Sequence, residues 1–270
     1  MTKRLVKIHT PVARISNLAI HLQSAEERDG FKVNKEEHLS PIIATVLEKG
    51  ATDQLNGGDN AWADGHEPLL LDLLAKELNA DVTDICDFEL NLFDVQPASL
   101  GGCRSEFLYS GRLDNLATCF VAVESLIAYS TSADFAEDID VSLIALFDHE
   151  EVGSESAQGA GSSVISEAIQ RISAALCGGD VNSDLYGAIA RRSYIISADQ
   201  AHAHHPNYAS KHERVHQPHM NSGMVVKNNC NQRYTTTSVT RFIFREVCAK
   251  ATIPVQEYVV RQDCGCGTTM

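Results

Sequence analysis

Apolar residues near the start of the chain are spaced as in short strands rather than as in a helix. This spacing runs over residues 5–22, and Pro11 marks a break within it. High leucine density predicts a helix over residues 68–79, and FELNLFDV predicts a strand over residues 88–95. The first residues of the chain are therefore expected to belong to a sheet.

Polar and turn-forming residues separate these segments. Residues 24–37 are polar and charged, and residues 48–65 are rich in turn formers and are predicted to be a surface loop. Both segments are expected to be insertions around a small core. The turn-rich sequence PASLGGC places a domain boundary near Ala98. We therefore expect one domain over residues 1–98 and a second over residues 99–270.

Beyond Ala98 the pattern changes to an alternation of helices and strands. Helices are predicted over residues 115–129, 162–176 and 238–250. Strands are predicted over residues 141–147, 193–198, 224–227 and 255–260. This alternation predicts an α/β domain in which a mostly parallel sheet is flanked by helices.

Charge and cysteine content narrow the class of protein. Asp and Glu number 36 against 22 Lys and Arg, a net charge of −14 that would repel nucleic-acid phosphates and anionic lipid. No apolar run approaches the roughly 18 residues of a membrane span. The 8 cysteines lack zinc-finger spacing, and the first residues lack the apolar core of a signal peptide. We expect a cytoplasmic protein with no nucleic-acid or membrane partner.

Acidic residues follow two of the predicted strands directly. Residues 141–147 lead into Asp-His-Glu150-Glu151, and residues 193–198 lead into Asp199. Because ligands bind at the carboxyl ends of parallel strands, these acids are expected to share one crevice. A further acid, Asp114, precedes an apolar helix. Together these residues are candidate ligands of a divalent metal, with a nitrogen donor from His202, three residues after Asp199.

Each acid also has a simpler interpretation. Asp114 could cap its helix, because Asp is a preferred N-cap residue. Glu150 and Glu151 could be solvated loop residues, and Asp199 could belong to an ordinary turn. If the glutamates are functional, their adjacency allows one to bind metal while the other takes a proton from water.

Other chemistries receive less support. Six of the 11 histidines lie in residues 202–219, which could store metal, but the segment lacks an H-E-x-x-H helix and contains Pro206 and Pro218. P-loop, dinucleotide-binding and serine-hydrolase motifs are missing from the sequence. These absences argue against nucleotide-binding and serine-hydrolase functions.

Four motifs together resemble a known family. They are GRLDN at residues 111–115, DHEEVGSESAQGA at 148–160, SADQAHAHHPNY at 197–208 and NQRY at 231–234, and LAIHLQ at 18–23 and CGTT at 266–269 extend the similarity. In this order and length they resemble the aspartyl aminopeptidases, peptidase family M18.

The resemblance implies a zinc-peptidase α/β domain, interrupted by a smaller β-rich dimerisation domain, that removes N-terminal Asp or Glu from peptides. It also implies two zinc ions and a homo-oligomer, a tetrahedral dodecamer. Asp114 would bridge the ions, Glu151 and Asp199 would be terminal ligands and Glu150 the general base. By the same resemblance the peptide substrate would contact four residues: His202, Lys227, Tyr234 and, from a neighbouring subunit, His21.

The chain departs from the family at both ends. Two histidine ligands of the family, one before the inserted domain and one after the G-T-T motif, have no counterpart in this sequence. The chain is therefore expected to be an internal piece of the enzyme, and to be inactive alone. A catalytically silent subunit that retains only the assembly surface is the alternative, and the intact glutamate pair favours the enzyme.

Overall fold

The protein divides into two compact units. The structure is a computed structural model that describes residues 1–45 and 62–264. The units are Met1–Gly111 and Arg112–Met270. This division comes later in the chain than the predicted boundary near Ala98, because a hairpin of β1 (Ser99–Gly101) and β2 (Phe107–Tyr109) belongs to the first unit. Most of the loop predicted over residues 48–65 lies outside the described residues.

Short capped helices form part of the first unit. Residues 24–37, a polar and charged segment to which the sequence assigned no helix, contain most of two helices, α1 (Ala25–Gly30) and α2 (Lys35–His38). Ser24 caps α1 in a capping box with Glu27, and the Asn34 side chain accepts hydrogen bonds at the start of α2. These capping side chains explain how short helices form in a segment with few apolar residues.

The core of the first unit is built on α3 (Pro68–Leu78), whose prediction from the leucines is confirmed. Leu74 and Ala75 are buried with Ile85, and Trp62 and Phe88 pack against this cluster. Asn79 ends the helix in a left-handed conformation with φ of 49°, a common helix terminator. In the described residues, helices therefore account for most of the regular structure of the first unit, and the prediction of a β-rich domain is not confirmed there.

The second unit contains four helices and one parallel pair of strands among its described residues. The helices are α4 (Leu113–Ser130), α5 (Val164–Cys177), α6 (Ser183–Arg192) and α7 (Ser238–Lys250). The strands are β3 (Met224–Asn228) and β4 (Val255–Val259), paired so that Met224 lies opposite Val255. The predicted helices and strands in these positions are confirmed, whereas α6 was not predicted. None of the described helices is long and apolar enough to cross a membrane.

Helix α7 and the two strands form a β-α-β unit. Glu257 of β4 pairs with Arg245 at 2.8 Å and with Arg241 at 3.4 Å, which ties α7 to the sheet. At the start of β3, Gly223 has a φ of 106°, and a Cβ there would lie 2.2 Å from the Pro254 carbonyl oxygen. A glycine is therefore needed where the two strands begin.

The predicted multi-stranded sheet is not formed by the described residues. Residues 5–22, 88–95, 141–147 and 193–198 were predicted to be strands and belong to no β-strand, apart from a single bridge between Arg14 and Ile42. Their apolar side chains remain largely exposed, as with Ile196 at 59%. A strand requires a hydrogen-bonded neighbour, which apolar composition alone does not supply. The mixed α/β class is confirmed, while the mostly parallel sheet is reduced to the β3–β4 pair in this part of the chain.

Candidate functional site

Asp114 lies in an irregular first turn of α4. Arg112 precedes the helix with a positive φ of 59°, Asp114 and Asn115 have non-helical backbone angles, and the peptide bond between them is cis. The N-terminal cap of α4 has no side-chain hydrogen bond. Asp114 is therefore not the helix cap that its sequence position allowed.

Glu150 and Glu151 lie in a tight loop. The Glu150 carbonyl accepts a hydrogen bond from Gly153, and the His149 carbonyl accepts one from Ser154 at 2.9 Å. A Cβ on Gly159 would lie 2.1 Å from the Ser154 carbonyl oxygen, so the loop packs closely on itself only with glycine at this position.

Asp199 is paired with a lysine from β3. The Lys227 ammonium donates a hydrogen bond to Asp199 Oδ1 at 2.5 Å, and the two side chains are 23% and 31% exposed. The Tyr234 ring lies 5.9 Å from the same ammonium, within range of a cation–π contact. The structure thus brings together three of the residues that the sequence singled out.

The charges that shift the pKa of Glu150 come from all of these segments. Desolvation by surrounding protein atoms raises its pKa, and the negative charges of Glu151, Asp199 and Asp114 raise it further, while Lys227 lowers it. Glu150 itself remains exposed, so solvent screens these interactions. Four carboxylates from three separate segments therefore share one neighbourhood with one lysine.

Two further predicted substrate contacts have surroundings of their own. The His202 ring packs edge-on against Tyr258 at 4.9 Å between centroids and against His212 at 5.3 Å. His21 is exposed in a short 3-10 helix, Ile20–Leu22, of the first unit.

Two amides near the acids were missed by the sequence analysis. The Asn115 side-chain amide donates to the Ala198 carbonyl at 2.9 Å, and the Gln200 amide donates to the Thr118 hydroxyl at 2.7 Å. Each amide residue directly follows one of the candidate acids, Asp114 or Asp199. This repeated acid–amide order is the sequence signal that could have identified them.

The candidate ligands fit a divalent cation in charge and donor type. Asp114, Glu151 and Asp199 offer carboxylate oxygens in a region of excess negative charge. Within residues 1–45 and 62–264, however, no three His, Cys, Asp or Glu side chains converge closely enough to hold a metal ion. The carboxylates could therefore supply only part of a zinc coordination shell.

A glutamate in the histidine-rich segment is strongly perturbed. His216 Nδ1 donates to Glu213 at 2.8 Å, and the backbone N–H groups of Val215 and His216 donate to the same carboxylate. These hydrogen bonds, that from the His216 ring foremost, lower the pKa of Glu213 from 4.5 to about 2.

This lowered pKa predicts a pH-dependent stability. The ionised Glu213 stabilises the folded protein fully above its ordinary pKa of 4.5, and this contribution is lost as the pH falls towards about 2. Glu213→Gln should therefore reduce the slope of unfolding free energy against pH in this interval, as measured by urea denaturation. An unchanged slope in the variant would contradict the assignment.

Comparison with known proteins adds a family relationship. A model of the family described as "Aminopeptidase I zinc metalloprotease (M18)" matches residues 1–270. The chain is 44% identical over 285 residues to a "Probable aspartyl aminopeptidase" of Ricinus communis, covering 99% of this chain and 57% of that protein. It is 39% identical to an "Aspartyl aminopeptidase" of Dictyostelium discoideum, covering 99% and 59% of the two. The chain thus spans less than two thirds of the length of these relatives.

Solved structures show the same relationship. The cryo-EM structure of the Ape4 and Nbr1 complex contains a chain with a TM-score of 0.85 and 40% identity, covering 98% of this chain and 50% of that one. The S. cerevisiae mApe1 dodecamer has a TM-score of 0.70 and 25% identity, covering 93% and 51%. The fold of this chain is therefore similar to about half of each of those chains.

Proposed function

Because the chain belongs to the M18 family of zinc metalloproteases, we propose that it carries the catalytic carboxylates of an aminopeptidase that removes N-terminal Asp or Glu from peptides. The names of the Ricinus communis and Dictyostelium discoideum relatives support this substrate class. The sequence resemblance to aspartyl aminopeptidases agrees with them.

The observation that carries the proposal is that acids from three segments share one electrostatic neighbourhood. Asp114, Glu151 and Asp199 all raise the pKa of Glu150 through their charges. Like charges repel, and one lysine does not offset the charges of four carboxylates. A functional site gains from such an arrangement when a cation and a positively charged ligand group balance it.

By family likeness three of these carboxylates would contribute to holding zinc, although in the described residues their side chains do not converge closely enough to form the site by themselves. Asp114 would bridge two ions, and Glu151 and Asp199 would each complete one side, together with ligands from outside this set. When bound, zinc supplies Lewis acidity towards the scissile carbonyl. The remaining chemistry belongs to the side chains of the protein.

Glu150 would act as the general base. Its raised pKa increases its affinity for a proton, and its position beside Glu151 leaves its oxygens free when the neighbour binds metal. Glu150 would take a proton from the attacking water and deliver it to the leaving amine. The water oxygen thereby bonds to the carbonyl carbon, the C–N bond breaks, and the amine leaves with the proton that Glu150 took from the water.

Lys227 would select the acidic side chain of the substrate. An ammonium has three N–H donors, so Nζ can keep its bond to Asp199 and also donate to a substrate carboxylate. Tyr234, beside the same ammonium, would restrict the space around it. His202 and, from a neighbouring subunit, His21 would complete the substrate contacts by family likeness.

A homo-oligomeric assembly is part of the proposal. The similar S. cerevisiae mApe1 structure is a dodecamer, which supports self-association of this chain. A silent subunit that serves assembly alone would have no need of Glu150 beside Glu151. The retained carboxylate neighbourhood therefore favours the enzyme over that alternative.

Replacing Lys227 tests the proposed substrate preference. Lys227→Met should lower kcat/KM for a peptide with N-terminal Asp by about 10- to 100-fold, because a charge-assisted hydrogen bond is worth about 1.5–3 kcal/mol. A peptide with N-terminal Ala should be affected far less. Steady-state kinetics of the metal-loaded enzyme with both peptides provides the measurement.

Two further variants make the comparison specific. Lys227→Arg keeps the positive charge and should retain most of the preference for Asp. Lys250→Met removes an exposed lysine at the end of α7 and should leave both peptides unaffected. An equal loss for the Asp and Ala peptides in Lys227→Met would contradict the role of Lys227 in substrate selection.

A further inference from the structure

A cavity lies where the two parallel strands of the second unit end. It has a volume of about 500 Å³, and its walls include Asn228 of β3, Val259 of β4 and Arg241 of α7. Asn228 lies opposite Val259 in the register of the two strands. Ligands commonly bind beyond the carboxyl ends of parallel strands, so this cavity, called the strand-end pocket below, lies where a ligand is expected.

The lining of the strand-end pocket is polar and contains no acid. Thr236, Thr237 and Ser238 contribute hydroxyl groups, and Gln232 contributes an amide. None of the described residues that line the pocket is an Asp or a Glu, although the whole chain has a net charge of −14. The pocket is therefore rich in hydrogen-bond donors within a protein that elsewhere repels anions.

Two donors of this lining lack an acceptor. The Nε of Arg241 and the side-chain amide nitrogen of Asn228 are buried, and neither has a hydrogen-bond partner among the described residues. A buried donor without a partner costs free energy, which an incoming acceptor would recover. An oxyanion is such an acceptor, because its oxygens accept several hydrogen bonds and carry the opposite charge to the guanidinium.

The charge of Arg241 is only partly neutralised by the protein. Its Nη1 donates to Asn228 Oδ1 at 3.1 Å and lies 3.4 Å from the Glu257 carboxylate. Arg245 approaches the same carboxylate more closely, at 2.8 Å. Two guanidinium groups therefore share one carboxylate, which leaves positive charge in excess beside the pocket.

We propose that the strand-end pocket binds an oxyanion, the carboxylate or phosphate group of a small molecule. Arg241 and Asn228 would donate hydrogen bonds to it, and the hydroxyls of Thr236 and Ser238 would add to them. The start of α7 supports the same charge, because the first N–H groups of a helix lack partners within the helix and its dipole is positive there.

The proposal does not involve the candidate metal ligands. Successive side chains of a strand point to opposite faces, so Asn228 is directed away from Lys227, the partner of Asp199. The strand-end pocket would therefore bind its ligand whether or not metal is present. Metal-free protein is sufficient for the test.

Titration calorimetry of the metal-free protein with inorganic phosphate tests the proposal. The wild type should show saturable binding, and Arg241→Gln should weaken the affinity about 10- to 100-fold, the scale of a lost charge-assisted hydrogen bond. Circular dichroism of each variant would confirm that it remains folded.

A second variant tests the pocket without removing the contact between α7 and β3. Asn228→Asp has nearly the shape of the wild type and keeps an oxygen that accepts from Arg241. It replaces the unpaired donor with a negative charge, so it should weaken phosphate binding at least as much as Arg241→Gln does. Equal phosphate affinity in Asn228→Asp and the wild type would overturn the proposal.

Arg245→Gln is the matched control. It removes the other guanidinium that pairs with Glu257, and Arg245 is not among the residues that line the pocket. Its phosphate affinity should stay close to that of the wild type. Equal losses in Arg245→Gln and Arg241→Gln would show that phosphate responds to general surface charge, and the assignment of the pocket would be wrong.

Titration with acetate separates the two kinds of ligand. If acetate displaces phosphate at similar concentrations, the pocket accepts carboxylates; if phosphate binds far more tightly, a phosphate group is the ligand. A wild-type protein that binds neither anion saturably would overturn the proposal. The proposed function would stand in that case, because the pocket includes neither Lys227 nor Asp199.

Discussion

Replacing Glu150 with Gln is expected to lower turnover by about 10²-fold or more while metal binding persists, the loss typical of a missing general base. Gln has nearly the same shape as Glu and cannot accept the proton. It also removes one of the four mutually repelling carboxylates, so the remaining acids should hold a cation at least as well.

The measurement combines elemental analysis with kinetics of the metal-loaded enzyme. Asp114→Asn should behave in the opposite way and lose metal, because a neutral amide is a poorer ligand than a carboxylate. Glu155→Gln changes an exposed glutamate of the same loop and should leave activity unchanged. Metal content that falls in Glu150→Gln and persists in Asp114→Asn would reverse the two assignments.

The second large effect is expected in the core of the first unit. Leu74 is 2% exposed and contacts the cluster that joins α3 to Ile85. Truncation to Ala leaves a cavity, and buried Leu-to-Ala changes cost about 2–5 kcal/mol. The unfolding midpoint of the first unit in urea should therefore fall clearly in Leu74→Ala.

A built-in fluorophore reports this transition. Trp62 is the single tryptophan of the chain. Because it packs against the same cluster, its fluorescence follows unfolding of this core. Leu92→Ala, at a residue that is 61% exposed in the same unit, is the control and should change the free energy of unfolding by less than about 0.5 kcal/mol. Equal effects of the two variants would show that Leu74 does not support this core.

Helices of the second unit could be predicted from the sequence because their signals are local. Apolar spacing placed α4, α5 and α7 within two residues of their observed bounds. Strands β3 and β4 were also predicted, since a β-α-β unit brings together strands that flank one helix. In contrast, α6 was missed although Leu185, Ala188 and Ile189 have helical spacing, because the helix is only 10 residues long and contains Gly187, which weakens the helix signal.

The remaining predicted strands show the limit of such signals. Residues 141–147 and 193–198 have the apolar composition of buried strands, and yet the described residues provide no neighbour with which they pair. Composition indicates which segments could join a sheet. Pairing is a long-range property, and a local pattern carries no information about the partner.

For the candidate site, the sequence by itself determined which residues could be acidic ligands and which family their motifs resemble. The order of Asp114, Glu150, Glu151 and Asp199 in the chain was sufficient for that. Only the tertiary structure decided that Lys227 pairs with Asp199 and that the side-chain amides of Asn115 and Gln200 join α4 to the segment around that acid. These contacts connect residues 28 to 83 positions apart, and their geometry depends on how the intervening chain packs.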